Sequence, residues 1–186
     1  LTNSGLGDII SHAKSEGHRV PLITNGHMLT PRYLERNPGL WDLDSLRISL
    51  YGVDEDSTFF VTRHKKAYKL VKNNVVEFLK LRNEINPKLK FGFNYIILPE
   101  NIDTILQLLD YINDINSQVD NGRGIDFLTL REDFGSVTEI NDDVDKQVEG
   151  RKYHLEGLMT DKQREELIDV SKEFNERKDK ECPDMH

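Results

Sequence analysis

Helix-like and strand-like segments alternate along most of this sequence. Leu6, Ile9, Ile10 and Ala13 recur at helical spacing, and Gly17 supplies a natural stop. Residues 19–23 then form a short apolar run that closes in Thr24-Asn25-Gly26. Thr30-Pro31 reads as a helix start, with Thr as cap and Pro at the first helical position. Residues 46–51 form the next strand, closed by Gly52. The stripe Tyr68, Val71, Val75, Phe78, Leu79 and Ile85 predicts one long helix over about 62–85. Residues 91–98 are rich in aromatic and β-branched side chains and predict a strand stopped by Pro99. Ile102, Ile105, Leu106, Leu109 and Ile112 mark a further helix, and residues 124–130 a last strand.

Such alternation requires parallel strands joined by helical crossovers. Two architectures satisfy it, an open doubly wound sheet and a (β/α) barrel. A doubly wound sheet binds its ligand at one switch point, often behind a glycine-rich first turn. No Gly-x-Gly-x-x-Gly or phosphate-loop pattern occurs here. Polar groups instead close nearly every strand: Thr24 and Asn25, Ser49 and Tyr51, Asn94 and Tyr95, Thr129 and Arg131. Sites assembled from several strand ends are the habit of barrels. The expected fold is therefore α/β, a truncated TIM-like barrel of about four parallel strands with outer helices.

Charge and cysteine content narrow the partners. The net charge of −8 argues against a nucleic-acid binder. The best basic cluster, Arg63-His64-Lys65-Lys66, reads as the solvated start of a helix. No apolar run approaches the roughly 20 residues of a membrane span, and no signal peptide is evident, so a cytoplasmic protein is expected. The lone Cys182 fits a reducing compartment and cannot hold an iron–sulfur cluster, which typically needs about four thiolates. The histidines at 12, 18, 27, 64, 154 and 186 show no tight ligand spacing on one helix face, so no metal site is expected.

Several strand ends carry chemistry. Thr24 and Asn25 offer uncharged donors and acceptors, although taken by itself the stretch is better explained as an ordinary Asn-Gly turn. Ser49, Tyr51 and, one layer deeper, Arg47 share a face, which implies a ligand, a buried polar network or a sheet edge. Asn94, Ile96 and Leu98 occupy one face of the following strand, with Phe93, Tyr95 and Ile97 on the other. Either face packs on a base or fills the core. Arg131 at the last strand end suits a carboxylate or phosphate, or a surface ion pair.

Two stretches, Val20 to Gly26 and Ser45 to Gly52, resemble the middle of a radical S-adenosylmethionine (SAM) domain. In that family Thr-Asn-Gly follows the third strand, and Ile-Ser-Leu-x-Gly, here Ile48 to Gly52, lies on the fourth. The helix with Tyr68, Val71, Asn73 and Asn74 is similar to the family's crossover. Leu1 to Gly7, Leu34 to Trp41, Tyr95 to Pro99, Ile125 to Phe127 and Arg131 to Asp133 resemble its branch acting on nucleotide-linked amino sugars.

The resemblance implies a parent enzyme that uses SAM and a 4Fe-4S cluster. It implies that this chain holds the third to sixth strands and lacks the three-cysteine cluster loop and the Gly-Gly-Glu segment before them. The start at Leu1 is accordingly expected to be a cut within a longer protein. By position, Thr24 and Asn25 fall near the methionyl end of SAM, Ser49 contacts SAM, Tyr95 and Ile97 line the adenine, and Tyr51 and Arg131 stand near SAM or substrate. The catalytic residues stay unassigned, and the expected partner is a small molecule, a nucleotide sugar. An open sheet edge at residues 20–23 is expected to promote self-association.

Three units are expected: the partial barrel over 1–134, a polar loop over 135–157 and a helical extension over 158–186, opened by Thr160 and Gln163. Two alternatives stand beside the radical SAM fragment. One is a cluster-less barrel domain with a binding or structural role. The other is an unrelated (β/α) barrel lyase, although no strand end carries the lysine of its Schiff-base form.

Overall fold

The computed structural model describes residues 1–98, 101–119 and 123–132, together with helical positions 162, 165, 168, 169 and 172. The polar loop over 135–157 and most of the C-terminal extension lie outside the described residues.

Four strands carry the architecture: β1 (Pro21–Thr24), β2 (Ser45–Leu50), β3 (Lys90–Ile97) and β4 (Phe127–Glu132). All pair in parallel, in the order β1-β2-β3-β4. The order follows the chain without reversal, so the described strands contain no switch point. Right-handed crossovers between strands laid down in this sense put their helices on a common face.

The helices are α1 (Leu6–Ser15), α2 (Pro31–Arg36), α3 (Glu55–Thr62), α4 (Ala67–Ile85) and α5 (Leu108–Ser117), with 3-10 turns at Pro38–Asp42 and Ile102–Gln107. The expected helix over about 62–85 is α4, which starts at Ala67, and a separate helix, α3, precedes it. Asp54 and Ser57 form a reciprocal capping box that starts α3 early. Arg63 ends it in the left-handed region, at φ 56°, before α4 begins.

The core lies between the sheet and the helices. Leu46, Ile48 and Leu50 of β2 and Phe91, Phe93, Tyr95 and Ile97 of β3 meet Val71, Val75, Phe78 and Leu79 of α4. Trp41 stacks on Phe78 at 5.3 Å between ring centres. The opposite face of β2 carries Arg47 and Ser49, both half-buried. There Arg47, Gly92 and Phe127 stand in one register row. The Phe127 ring and carbonyl occupy the space a Cβ on Gly92 would need, and the Arg47 guanidinium lies 5.1 Å from the centre of that ring. Only glycine lets the two backbones and the ring approach so closely.

Two polar clusters fix the amino-terminal end of the sheet. Asp44 accepts from the Val20 N–H at 2.6 Å and from Lys14 Nζ at 2.8 and 2.9 Å. Arg82 of α4 is 0% exposed. It donates to Asp126 Oδ2 at 3.0 Å and to the carbonyls of Leu89 at 3.2 Å, Gly124 at 2.8 Å and Arg123. Asp126 Oδ2 also accepts from the Phe91 N–H at 2.7 Å, so one carboxylate joins α4 to the starts of β3 and β4.

Candidate functional site

The carboxyl ends of the strands hold the polar groups. Gly26 adopts φ 76°, and Asn25 Oδ1 accepts from the His27 N–H at 3.2 Å, which folds Thr24-Asn25-Gly26 into a tight Asx turn. Buried Asn74 of α4 locks the turn from below, donating to the carbonyls of Gly26 at 3.0 Å and His27 at 3.1 Å. Asn101 locks the next two strand ends. It donates to the carbonyls of Tyr51 at 2.9 Å and Ile96 at 2.8 Å and accepts from the Leu98 N–H at 2.9 Å. Pre-set backbone of this kind holds strand-end side chains in place without a ligand.

Register decides which side chains meet. Ser49, Asn94 and Thr129 stand in one row across β2, β3 and β4, and Arg131 follows Thr129 two residues on, on the same face. Asn94 is 2% exposed, and its Oδ1 has no partner among the described residues. Arg47 Nε, one row deeper, is likewise buried without a partner among them. Buried polar atoms in this condition call for a ligand or ordered water.

Three expected positions stand elsewhere. Thr24 pairs in register with Ile48 and turns toward the helices, its Oγ1 accepting from the Gly26 N–H at 3.4 Å. Tyr95 and Ile97 also belong to the helix-facing row and are buried in the core. The Tyr95 hydroxyl reaches the Asn101 carbonyl at 3.4 Å. Strand period two makes the correction unavoidable: if Ser49 and Asn94 share the open face, Tyr95 and Ile97 cannot. Asn94, noted in the sequence as a strand-end polar group but not among the expected SAM contacts, stands beside Ser49 on the open face.

A cavity of about 280 Å³ opens beside the ends of β1 and β2. Asn25, Ser49 and Tyr51 line it, with His27, Thr58 of α3, His64, Tyr68 of α4 and Tyr111 of α5. The His27 and His64 rings meet edge to face at 5.3 Å. Burial, and then the neighbouring His64, hold the His27 imidazole below its ordinary pKa, so it prefers the neutral form. Burial pushes the Tyr111 phenol up, which keeps it a hydrogen-bond donor. Among the described residues no group of three or more His, Cys, Asp or Glu side chains is arranged to hold a metal ion. No described helix is long and apolar enough to cross a membrane.

These features define an α/β protein with a parallel sheet in chain order and a polar site at the carboxyl ends of its strands. No family model matches the sequence. Among curated proteins, the dTDP-4-amino-4,6-dideoxy-D-glucose ammonia-lyase of Streptomyces venezuelae is 37% identical over all 186 residues. The chain is related to that enzyme and spans 35% of its length.

Proposed function

We propose that this chain is part of a radical SAM lyase acting on a nucleotide-linked amino sugar, and that it supplies one wall of the SAM- and substrate-binding site. The observation that carries this reading is the 37% identity, over all 186 residues of the chain, to an ammonia-lyase whose name specifies a dTDP-linked aminodideoxy sugar. The strands in chain order with polar carboxyl ends support an incomplete barrel of the kind such enzymes use.

The residues fit one of the two implied cofactors. The unpartnered Asn94 Oδ1 beside Ser49 gives a polar ligand such as SAM a donor–acceptor pair at the strand ends. The single cysteine does not fit a cluster, so in this reading the cluster ligands come from other sequence of the parent protein. The chemistry SAM supplies when bound is radical hydrogen abstraction. The chain's own residues bind and orient. Ser49 and Asn94 hydrogen-bond the cofactor or sugar, Asn25 closes the β1 side, and Arg131 meets a carboxylate or phosphate. Thr24 contributes through the turn it shapes.

Calorimetry of SAM binding to the parent protein tests the assignment. Ser49→Ala and Asn94→Ala should each weaken binding by about 1 kcal/mol, the worth of one hydrogen bond. Wild-type affinity in both variants would remove this wall from the cofactor site. The lone cysteine also admits a cluster-less binding domain, which would bind its ligand with no parent cluster present.

A further inference from the structure

The cavity beside β1 and β2 is uncharged inside and basic at its edge. No Asp, Glu, Lys or Arg lines it. Tyr68, Tyr111, Val71 and Leu50 give it aromatic and aliphatic walls. Tyr111 lines the cavity and is only 5% exposed. Thr58, at 8%, has a buried Oγ1 without a partner among the described residues. A buried hydroxyl left open in this way is satisfied by a ligand's polar atoms. His27, held neutral, adds one donor and one acceptor.

Charge complementarity narrows the occupant. An amino sugar would ask for a carboxylate, and phosphate for cations, and the interior has neither. A neutral planar ring with hydrogen-bonding edges fits both the walls and the volume of about 280 Å³, near the lower end of the range for small-molecule sites. The edge differs. His64 lines the cavity, and its neighbours Arg63, Lys65 and Lys66 are exposed. Lys66 is the cap of α4, which starts at Ala67 with no side chain bonded to its first turn. A helix start of this kind, flanked by lysines, attracts phosphate.

We propose that this cavity is a nucleoside diphosphate site, with the base against Tyr68 and Tyr111 and the phosphates at the start of α4 beside Lys65 and Lys66. The site deepens the proposed function: it would hold the nucleotide half of the sugar substrate, next to the polar row of Ser49, Asn94 and Thr129, which it meets at Ser49.

The experiment is calorimetric titration of the chain with dTDP, thymidine and ADP, without SAM or cluster. dTDP should bind about tenfold more tightly than thymidine, because only dTDP reaches the basic edge. Thr58→Val should weaken both about fivefold, the effect of one hydrogen bond. The exposed pair Lys65→Ala with Lys66→Ala should weaken dTDP about tenfold and leave thymidine unchanged. Binding of dTDP over ADP assigns the site to the substrate nucleotide, and equal or tighter ADP binding assigns it to an adenine nucleotide. No binding of either diphosphate at millimolar concentration, or binding that ignores both sets of changes, overturns the proposal. The readout needs no SAM chemistry, so failure of the lyase assignment leaves it standing, and its own failure leaves that assignment untouched.

Discussion

Arg82→Met removes the charge at the centre of the buried polar cluster that joins α4 to the starts of β3 and β4. Arg82 is fully buried and donates to the Asp126 carboxylate and to the carbonyls of Leu89, Arg123 and Gly124. Met fills similar volume, so the loss is chiefly electrostatic and hydrogen-bonding. Asp126, only 6% exposed, would keep the Phe91 N–H and Arg123 Nε as partners, while the three carbonyls lose their shared donor. Breaking a buried pair by removing one member costs about 3–5 kcal/mol. The retained partners of Asp126 place the expected cost near the low end, about 3 kcal/mol, against a total stability of about 5–15 kcal/mol. With a urea dependence of about 2 kcal/mol per molar, the unfolding midpoint followed by far-UV circular dichroism should fall by about 1.5 M. Arg82→Lys keeps the charge but not the fork of donors and should fall in between. A midpoint shift below about 0.3 M for Arg82→Met would refute the view that this cluster joins α4 to the starts of β3 and β4.

Other consequences follow from single contacts. The Lys14 hydrogen bond, with the Val20 N–H, holds Asp44 below its ordinary value of 3.8. That contribution is present above about pH 4 and is lost as pH falls through the lower folded value, so Asp44→Asn should flatten the acid limb of a stability-against-pH curve. His27 is also held below its ordinary 6.5. Folding should therefore weaken as pH falls below that value toward the lower folded one, and His27→Gln should reduce that slope. Gly92→Ala drives a methyl into the Phe127 carbonyl and ring and should cost about 1–3 kcal/mol in the same urea titration.

Legibility in the sequence tracked how local each signal was. The four strands were readable because each apolar run ends in a turn former or a charged group, as with Gly26 after β1 and Gly52 after β2. Helix α3 was hidden because its start depends on the Asp54–Ser57 capping box rather than on an apolar stripe, and Phe59 and Phe60 give no clean period. The face of β3 was ambiguous because Phe93, Tyr95 and Ile97 alternate with Asn94 and Ile96, so both faces look apolar. Only register with Ser49 puts Asn94 on the face turned away from the helices and Tyr95 in the core. The meeting of His27, His64, Thr58 and Tyr111 was invisible, since it joins four separate segments through tertiary packing. Asn101 had a faint signal, an Asn just past Pro99 at a strand end, but its three backbone partners depend on β2 and β3 lying side by side. The expected edge at β1 remains the first strand of the described order, with Ile23 51% exposed.

The most direct measurement is ammonia release from dTDP-4-amino-4,6-dideoxyglucose by the anaerobically reconstituted parent protein, with and without SAM. The account predicts release only when SAM is present, and a rate at subsaturating SAM that falls about fivefold in Ser49→Ala through loss of one hydrogen bond. Ammonia released equally without SAM, or no release from a parent that carries an intact cluster, would contradict it.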